Sequence, residues 1–354
     1  MDILINIFSF LFIITILVVI HELGHFLAAK SIGLKVEKFY VGFNLFGLGV
    51  KRKINETEFG IGLFPIGGYV KVAGMIDESL DDQYNGSEDE YVSKSMLQKV
   101  WFTSGGVIFN FILAFLLFSG ITFFNGRAVV QNNTIIGEVI KGQPADLSGI
   151  KAGDRILSIE GTEISNWNDI QSQINSNPNN NIIVNYERDN EVMSSSVYTS
   201  SMIAPSGVSI GIIGIRPVLD KIYPNLLESL VYGMNDLYGW LQIMAQSIAS
   251  FFSGNLDIKN FGGPIQIASV AGEATKLGAL ALINLMAILS VNLGIINILP
   301  FPGLDGGHAL IAIIEGAIGR RIPFKTLMVI QQLGVILLAI FFFIIMKNDI
   351  TRLF

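Results

Sequence analysis

Long apolar runs dominate this sequence. Three of them extend from Ile3 to about Leu27, from about Trp101 to Phe124 and from about Phe324 to Met346. A fourth, Leu277 to Leu299, contains asparagines but no charged residue. Each run has the roughly 20 residues that a helix needs to cross a bilayer. Charged residues make up only 15% of the chain, whereas a soluble domain has about 25%. The sequence therefore predicts a polytopic α-helical membrane protein with four transmembrane helices.

The charge and the cysteine content exclude several classes of protein and site. The net charge is −6 and no dense block of Lys and Arg appears, so we expect no nucleic-acid partner. The chain lacks cysteine, which excludes disulfides and thiolate metal ligands. The first apolar run carries Asp2 instead of a basic leader, and no A-x-A cleavage site follows it. It therefore predicts a retained span rather than a signal peptide.

Two more polar regions separate the apolar runs. Residues 39–73, which include VGFNLFGLGV and FGIGLFPIGGYVKV, are rich in glycine and β-forming residues and predict short strands with tight turns. Residues 127–205 predict a β-rich domain, with strands at Ile135–Ile140, Arg155–Glu160, Asn181–Glu187 and Val192–Tyr198. The predicted organisation is an N-terminal membrane part (1–126), this inserted domain (127–205), a linker with an amphipathic helix (206–260) and a C-terminal membrane part (261–354).

The inserted domain resembles a PDZ domain. The segment QPADLSGIKAGDRILSIEG contains a helix start at Pro144, the Gly153–Asp154 turn and a strand that ends at Glu160, in the order typical of PDZ domains. A PDZ domain can bind a peptide as an added strand. The resemblance implies a peptide ligand, and the alternative is a spacer that only restricts access to the membrane part.

The HELGH motif near the end of the first span predicts a metal site. His21 and His25 are four residues apart, so both imidazoles project from one face of a helix. Glu22 lies on an adjoining face, and this arrangement is that of a zincin, with two zinc ligands and a general base. A membrane histidine is ordinarily a packing residue, but ionisable groups within a bilayer are functional by default. A catalytic zinc site needs a third protein ligand and an open position for water.

The segment NILPFPGLDGGH, residues 297–308, is the best source of that third ligand. Pro300 and Pro302 interrupt the helix, and irregular backbone at membrane depth is expected only where it lines a protein cavity. Asp305 and His308 could each complete the site by their chemistry alone. The alternative is a glycine-rich loop in which the aspartate only caps a helix.

The motifs together resemble the site-2 protease family, in particular its RseP-like (regulator of sigma-E protease) branch. HELGH, PIGGYVK at 65–71, the PDZ-like domain, GGPIQIA at 262–268 and NxxPxPxLDGGH at 297–308 follow the family's order over almost the whole chain. The resemblance implies Zn²⁺ bound by His21, His25 and Asp305, with Glu22 as the catalytic base.

The same resemblance implies a substrate-binding surface. Asn297 would hold the substrate backbone, and residues 39–73, including Gly67 and Gly68, would form a re-entrant β-hairpin or sheet that guides the substrate. Two features depart from the family's pattern. Val107 stands where the family's AGPxxNF motif usually has proline. A single PDZ unit fits in this chain, whereas the RseP-like branch typically has two.

Topology decides how the amphipathic segment Tyr223–Gly254 is interpreted. HELGH and LDGGH can meet only if an odd number of crossings separates their spans, and the second apolar run supplies one. The segment is therefore predicted to lie along the membrane interface or against the protein core rather than to cross. Cationic clusters at Lys30–Lys38, Lys51–Lys53 and Arg320–Lys325 share the side of the motifs, which predicts a cytoplasmic active site and a PDZ-like domain outside a bacterial inner membrane.

The implied activity is intramembrane zinc-dependent proteolysis. The expected partners are the lipid bilayer and single-span membrane proteins, such as an anti-sigma factor or signal-peptide remnants. One alternative is a non-catalytic zinc-binding membrane scaffold or receptor that binds partners through its PDZ-like domain. Another is a metal transporter, which would need further polar ligands along a pathway through the membrane.

Overall fold

The computed structural model describes residues 2–44, 49–75, 86–204, 206–254 and 262–353. Residues 45–48 of the predicted β segment and residues 255–260 of the predicted linker lie outside these ranges. The chain divides into two compact units. The first contains residues 1–121, 230–242 and 258–354, and the second contains residues 122–229 and 243–257.

The described helices, numbered along the chain, account for all four predicted spans. They are α1 (Asp2–Ser31), α2 (Met96–Asn125), α3 (Pro144–Leu147), α4 (Trp167–Asn175), α5 (Leu226–Phe252), α6 (Pro264–Leu277), α7 (Ala279–Ile298), α8 (Asp305–Ile318) and α9 (Phe324–Leu353). Helices α1, α2, α7 and α9 are long and apolar enough to cross a membrane, which confirms the prediction of four such helices. Helix α5 is not among them.

Helices α1 and α2 touch backbone to backbone beside the HELGH motif. A Cβ atom on Gly24 would lie 2.3 Å from the carbonyl oxygen of Gly105, and a Cβ on Gly105 would lie 2.6 Å from that of Gly24. Small residues permit such close approach between membrane helices. Helix α7 joins them through Ser290, whose Oγ donates a hydrogen bond to the Asn110 carbonyl oxygen at 2.8 Å. The close approach of Gly24 and Gly105 brings α2 onto the face of α1 that carries His21 and His25.

The N-terminal half of α1 packs on α6 and α7. Ile13 and Leu17 share a buried apolar cluster with Ala271 of α6 and Met286 of α7. Asp349 of α9 accepts hydrogen bonds from the backbone N–H groups of Gly263, Ile265 and Gln266 at 2.9–3.1 Å. Since these N–H groups at the start of α6 have no partner within the helix, Asp349 fixes that end of α6 against α9.

A four-stranded sheet follows α1. Its strands are β1 (Val36–Phe43), β2 (Gly49–Ile54), β3 (Thr57–Gly62) and β4 (Phe64–Val72), in the order β2-β3-β1-β4. Strands β1 and β3 are parallel, while β4 pairs antiparallel with β1. Strand β4 is therefore an edge strand. The described parts of this segment, residues 39–44 and 49–73, form short strands as predicted, and their position relative to a membrane remains a proposal.

The sheet is anchored to α1 and α2 by a shared core. Ala29 of α1, Phe102 of α2 and Val36, Val72 and Leu34 at the sheet form one buried cluster. Inside the sheet, Tyr40 is almost fully buried, stacks on Tyr69 and donates a hydrogen bond to Glu58 at 2.6 Å. Burial of the phenol, together with this hydrogen bond, raises the pKa of Tyr40 to about 12. The sheet therefore shares a buried core with the HELGH helix and α2.

The second unit is rich in β-structure and has its own core. Its strands are β5 (Arg127–Val130), β6 (Ile136–Val139), β7 (Arg155–Ile159), β8 (Thr162–Glu163), β9 (Asn181–Arg188), β10 (Glu191–Tyr198), β11 (Ser200–Ile203), β12 (Ser209–Ile212), β13 (Ile215–Pro217) and β14 (Leu219–Ile222). The main sheet has the order β10-β9-β7-β8. Isoleucines dominate the core, and Trp167 and Ile170 of α4 pack into it.

The β-rich unit continues beyond the predicted boundary at residue 205. Strand β13 pairs with β6 and β14 pairs with β5, while Ile213 belongs to the buried core. Residues 206–222, which the sequence predicted as a linker, therefore complete the fold of this unit. The strands are only three or four residues long, and such short runs give little alternation from which a strand can be predicted.

Candidate metal centre

The hydrogen bond of His25 determines which of its nitrogens can bind a metal. His25 Nδ1 lies 3.0 Å from the Phe102 carbonyl oxygen, and both groups are buried. A carbonyl only accepts, so Nδ1 carries the proton and donates. In the neutral ring the lone pair is then on Nε2, which is the form that a metal requires.

Three potential ligand atoms converge at one point. His25 Nε2 lies 3.2 Å from His21 Nε2, and Asp305 Oδ2 lies 3.2 Å from the first histidine of the motif and 3.3 Å from the second. Ligands about 2.0–2.1 Å from a tetrahedral zinc ion stand about 3.3 Å apart. The three edges of this triangle therefore match one face of a zinc coordination tetrahedron.

The electrostatics of the triangle also fit a cation. Asp305 Oδ2 is buried and has no hydrogen-bond partner among the described residues, and a buried carboxylate oxygen without a partner is unfavourable. The Nε2 lone pair of His25 points to the same space. A divalent ion bound there would compensate these groups, so the residues fit the zinc ion that the sequence resemblance implies.

Asp305 reaches the histidines because it is the first residue of α8. Helix α7 ends at Ile298, and a short non-helical segment that contains Pro300 and Pro302 separates it from α8. His308, one turn further along α8, is directed elsewhere. Its Nε2 lies 3.2 Å from Nε2 of Gln331 on α9. Of the two residues whose chemistry could complete the site, the structure brings Asp305 to the histidine pair.

Asn110 of α2 contacts the other histidine and was not among the predicted site residues. Its Nδ2 lies 3.0 Å from His21 Nδ1, and its Oδ1 is buried without a partner. Metal binding through Nε2 requires His21 Nδ1 to carry the proton. The amide orientation that suits zinc is therefore the one in which Nδ1–H donates to Oδ1. Asn110 holds the ring of His21 as the Phe102 carbonyl holds that of His25.

Gly106 leaves room for the two imidazoles. A Cβ atom at this position would lie 2.5 Å from both His21 Cε1 and His25 Nε2, so any side chain would displace a ligand. Val107, which replaces the proline usual in related sequences, is buried in α2, and α2 is continuous through this position. The GGVIFNF segment therefore packs against α1 and contacts the two histidines through Gly106 and Asn110.

Glu22 is buried next to the triangle, and strand β4 passes over it. A Cβ atom on Gly68 would lie 3.1 Å from Glu22 Cγ, 2.9 Å from Val18 Cγ1 and 2.7 Å from the Tyr40 carbonyl oxygen. Gly67 has a φ of 99°, which favours glycine. These two glycines let the edge strand approach the predicted base directly. Gly68 thus lies against Glu22, and the predicted role of Gly67 and Gly68 in binding substrate stays a prediction.

Asn297 occupies the last turn of α7 and is partly buried. The described contacts do not link it to His21, His25 or Asp305. Its predicted role in holding the substrate therefore stays a prediction.

Comparison with known proteins gives matches over the whole chain. The model of peptidase family M50 matches residues 9–341. A protein of Clostridium perfringens named as a zinc metalloprotease is 32% identical over 338 residues, which cover 94% of this chain and 95% of the relative. A similarly named protein of Rickettsia conorii is 31% identical and covers 99% of this chain and 100% of the relative. Another, from Helicobacter pylori strain J99, is 30% identical, with 95% and 97% covered.

Among the solved structures that match part of the chain is the PDZ domain of an SdrC-like protein from Listeria monocytogenes, with 22% sequence identity and a TM-score of 0.22. The match covers 25% of this chain and 92% of that domain.

Proposed function

Because this chain belongs to peptidase family M50, the site-2 protease family of zinc metalloproteases, we propose that it cleaves transmembrane segments of single-span membrane proteins. The observation that carries the proposal is the triangle of His21, His25 and Asp305, with edges of 3.2–3.3 Å. Its two histidines lie on α1, a helix long and apolar enough to span a membrane. A protease with two of its zinc ligands on such a helix can act on peptide bonds that soluble proteases do not reach.

The proposed chemistry is peptide hydrolysis with Glu22 as the base. His21, His25 and Asp305 would hold the zinc ion, which when bound would supply a Lewis acid for the scissile carbonyl and for the attacking water. The Glu22 carboxylate accepts the proton of the attacking water and then delivers it to the leaving amine. Burial of Glu22 keeps the carboxylate in a low dielectric, where its interactions with developing charge are strong.

A transmembrane helix hides its peptide bonds, so the substrate must be extended before hydrolysis. Strand β4 is an edge strand, and extended peptides add to free sheet edges through main-chain hydrogen bonds. Because Gly68 of this strand lies against Glu22, a peptide added there would be extended beside the base. In the proposed scheme Asn297 donates a further hydrogen bond to the substrate backbone.

The substrates and the accessory domain are further parts of the proposal. Anti-sigma factors and signal-peptide remnants are single-span segments of the appropriate kind. The β-rich unit is proposed to be a PDZ domain that either binds a peptide ligand as an added strand or restricts access of larger proteins. The sequence features around Pro144 and the Gly153–Asp154 turn support this assignment.

Cleavage by the purified full-length protein tests the proposal. We expect detergent-solubilised protein to cut a single-span reporter, with the cut site mapped by mass spectrometry to the reporter's apolar segment. Removal of zinc by a chelator should abolish the cut, and added zinc should restore it. The control substrate is the same reporter with a disrupted apolar segment. Cuts only outside that segment would contradict intramembrane proteolysis.

The four apolar helices and the family indicate a multi-pass membrane protein, and we propose the bacterial inner membrane as its location. The cationic clusters at Lys30–Lys38, Lys51–Lys53 and Arg320–Lys325 support a cytoplasmic placement of the active-site side. An odd number of crossings between α1 and α7 then places the β-rich unit outside the cytoplasm.

Single cysteines test this orientation without interference, because the chain has none of its own. Lys53→Cys on β2 and Glu191→Cys on β10 are both at exposed positions. With a maleimide that does not cross membranes, we expect spheroplasts to label Glu191→Cys at once and Lys53→Cys only after permeabilisation. The reverse pattern would overturn the proposed orientation.

A further inference from the structure

A cationic cavity lies at the opposite end of α8 from the metal centre. It occupies about 270 Å³ between the N-terminal end of α2 and the C-terminal end of α8. Its charged lining consists of Lys94, Lys99, Glu315, Arg320 and Arg321. None of the proposed zinc ligands lines it, so the cavity is separate from the catalytic site.

The single carboxylate of this lining is already neutralised. Glu315 Oε2 accepts a hydrogen bond from Lys99 Nζ at 2.9 Å, and both side chains are largely buried. Its other oxygen accepts from the Ile322 backbone N–H at 3.0 Å. Ion pairing of this kind satisfies a buried carboxylate. Glu315 is therefore not available to compensate the remaining cations.

Three cations of the lining form no ion pair among the described residues, and of these Lys94 is close enough to Asp89 to interact with its carboxylate through space. Lys94 Nζ donates to the neutral Gly33 carbonyl oxygen at 3.1 Å. Arg320 and Arg321 are exposed, and within the described part of the chain neither forms an ion pair. Four cations and one carboxylate leave a net charge of +3 on the lining. Guanidinium groups bind phosphate oxygens through paired N–H donors.

Exposed apolar side chains occur on the same two helices. Leu97 and Trp101 of α2 and Ile314 and Ile318 of α8 are all exposed. Tryptophan is enriched at membrane–water interfaces, and the Trp101 Nε1 donates to Ser31 Oγ at 2.9 Å near the end of α1. Helix periodicity directs these four side chains away from the cavity. With Trp101 near the start of α2, they indicate that this end of α2, and the cavity beside it, lie at the level of the phospholipid headgroups.

We propose that this cavity binds the phosphate of an anionic phospholipid headgroup at the membrane surface, where α2 begins. Arg320 and Arg321 bind the phosphate oxygens, and Lys94 adds charge at the rim. Basic pockets between membrane helices bind anionic headgroups by the same chemistry. The bound lipid stabilises the junction of α2 and α8 that the Lys99–Glu315 pair already forms.

Lipid binding to the purified full-length protein tests the inference. The probes are radiolabelled phosphatidylglycerol and phosphatidylcholine in detergent, compared for wild type and Arg320→Gln/Arg321→Gln. We expect a preference for phosphatidylglycerol and a roughly 10- to 30-fold loss of its binding in the double variant. The control, Arg52→Gln/Lys53→Gln, removes two exposed cations of β2 and should bind the lipid as wild type does.

Each other outcome counts against the proposal. Equal binding of the two lipids would exclude recognition of the anionic phosphate. Equal losses in both double variants would indicate general attraction to the protein's cations. Displacement of the lipid by equimolar inorganic phosphate would assign the cavity to the free anion. Zinc content and gel-filtration volume, measured on every variant, show whether the fold is retained, and since Arg320 and Arg321 are exposed we expect both to be unchanged.

Discussion

Replacing Glu22 with Gln is expected to abolish cleavage of a single-span substrate while the protein retains its zinc. The amide has nearly the same shape as the carboxylate but cannot accept the proton of the attacking water. Loss of general base catalysis alone lowers a rate by about 10²–10⁴-fold. The three ligand atoms belong to His21, His25 and Asp305, so the substitution leaves the metal triangle intact.

The measurements are turnover of the reporter and zinc per protein by elemental analysis. The matched control is Glu273→Gln, which neutralises an exposed carboxylate on α6 and should leave both quantities unchanged. Turnover of Glu22→Gln at the wild-type rate would remove Glu22 from the mechanism. Loss of zinc in this variant would instead indicate that the carboxylate is part of the metal site.

Replacing Asp305 with Asn is expected to remove both zinc and activity. The side chain keeps its size at the start of α8, but the anionic oxygen that lies 3.2–3.3 Å from the two histidine nitrogens is lost. Loss of an outer partner of a zinc ligand weakens binding by about 10–100-fold, and we expect loss of a ligand itself to exceed that range. Chelator competition measures the affinity directly.

His308→Gln is the matched control, because residue chemistry alone allowed either residue as third ligand. His308 lies beside Gln331 of α9, so its replacement should leave zinc affinity near the wild-type value. The opposite result, with zinc lost in His308→Gln and kept in Asp305→Asn, would reassign the ligand. The contrast with Glu22→Gln separates metal binding from proton transfer.

Local sequence patterns predicted much of the architecture. An apolar run of sufficient length is a property of one segment, and the four predicted spans correspond to four apolar helices. The i, i+4 spacing of His21 and His25 is also local, because helix geometry alone puts both rings on one face. The family resemblance, now supported by a match over residues 9–341, added the zinc and the proteolytic activity.

Long-range pairing escaped prediction. Strand β13 pairs with β6 in the β-rich unit, and the ion pair of Arg216 with Glu138 joins residues 78 positions apart. Nothing in the three residues of β13 indicates that partner, so the segment was predicted as linker. The role of Asn110 was not predicted for the same reason, since Asn110 and His21 are 89 positions apart in the sequence.

The sequence by itself determined that this chain has four apolar helices. It also determined that one of them presents two imidazoles and a carboxylate at zincin spacing. Both follow from a single segment, because helix length and helix periodicity are local properties. Only the tertiary structure decided that Asp305 rather than His308 meets those imidazoles, that Asn110 and the Phe102 carbonyl hold the rings, and that Gly68 brings an edge strand to Glu22. These relations depend on how closely separate segments pack, and the glycine contacts between α1 and α2 show that a single methyl group would change them.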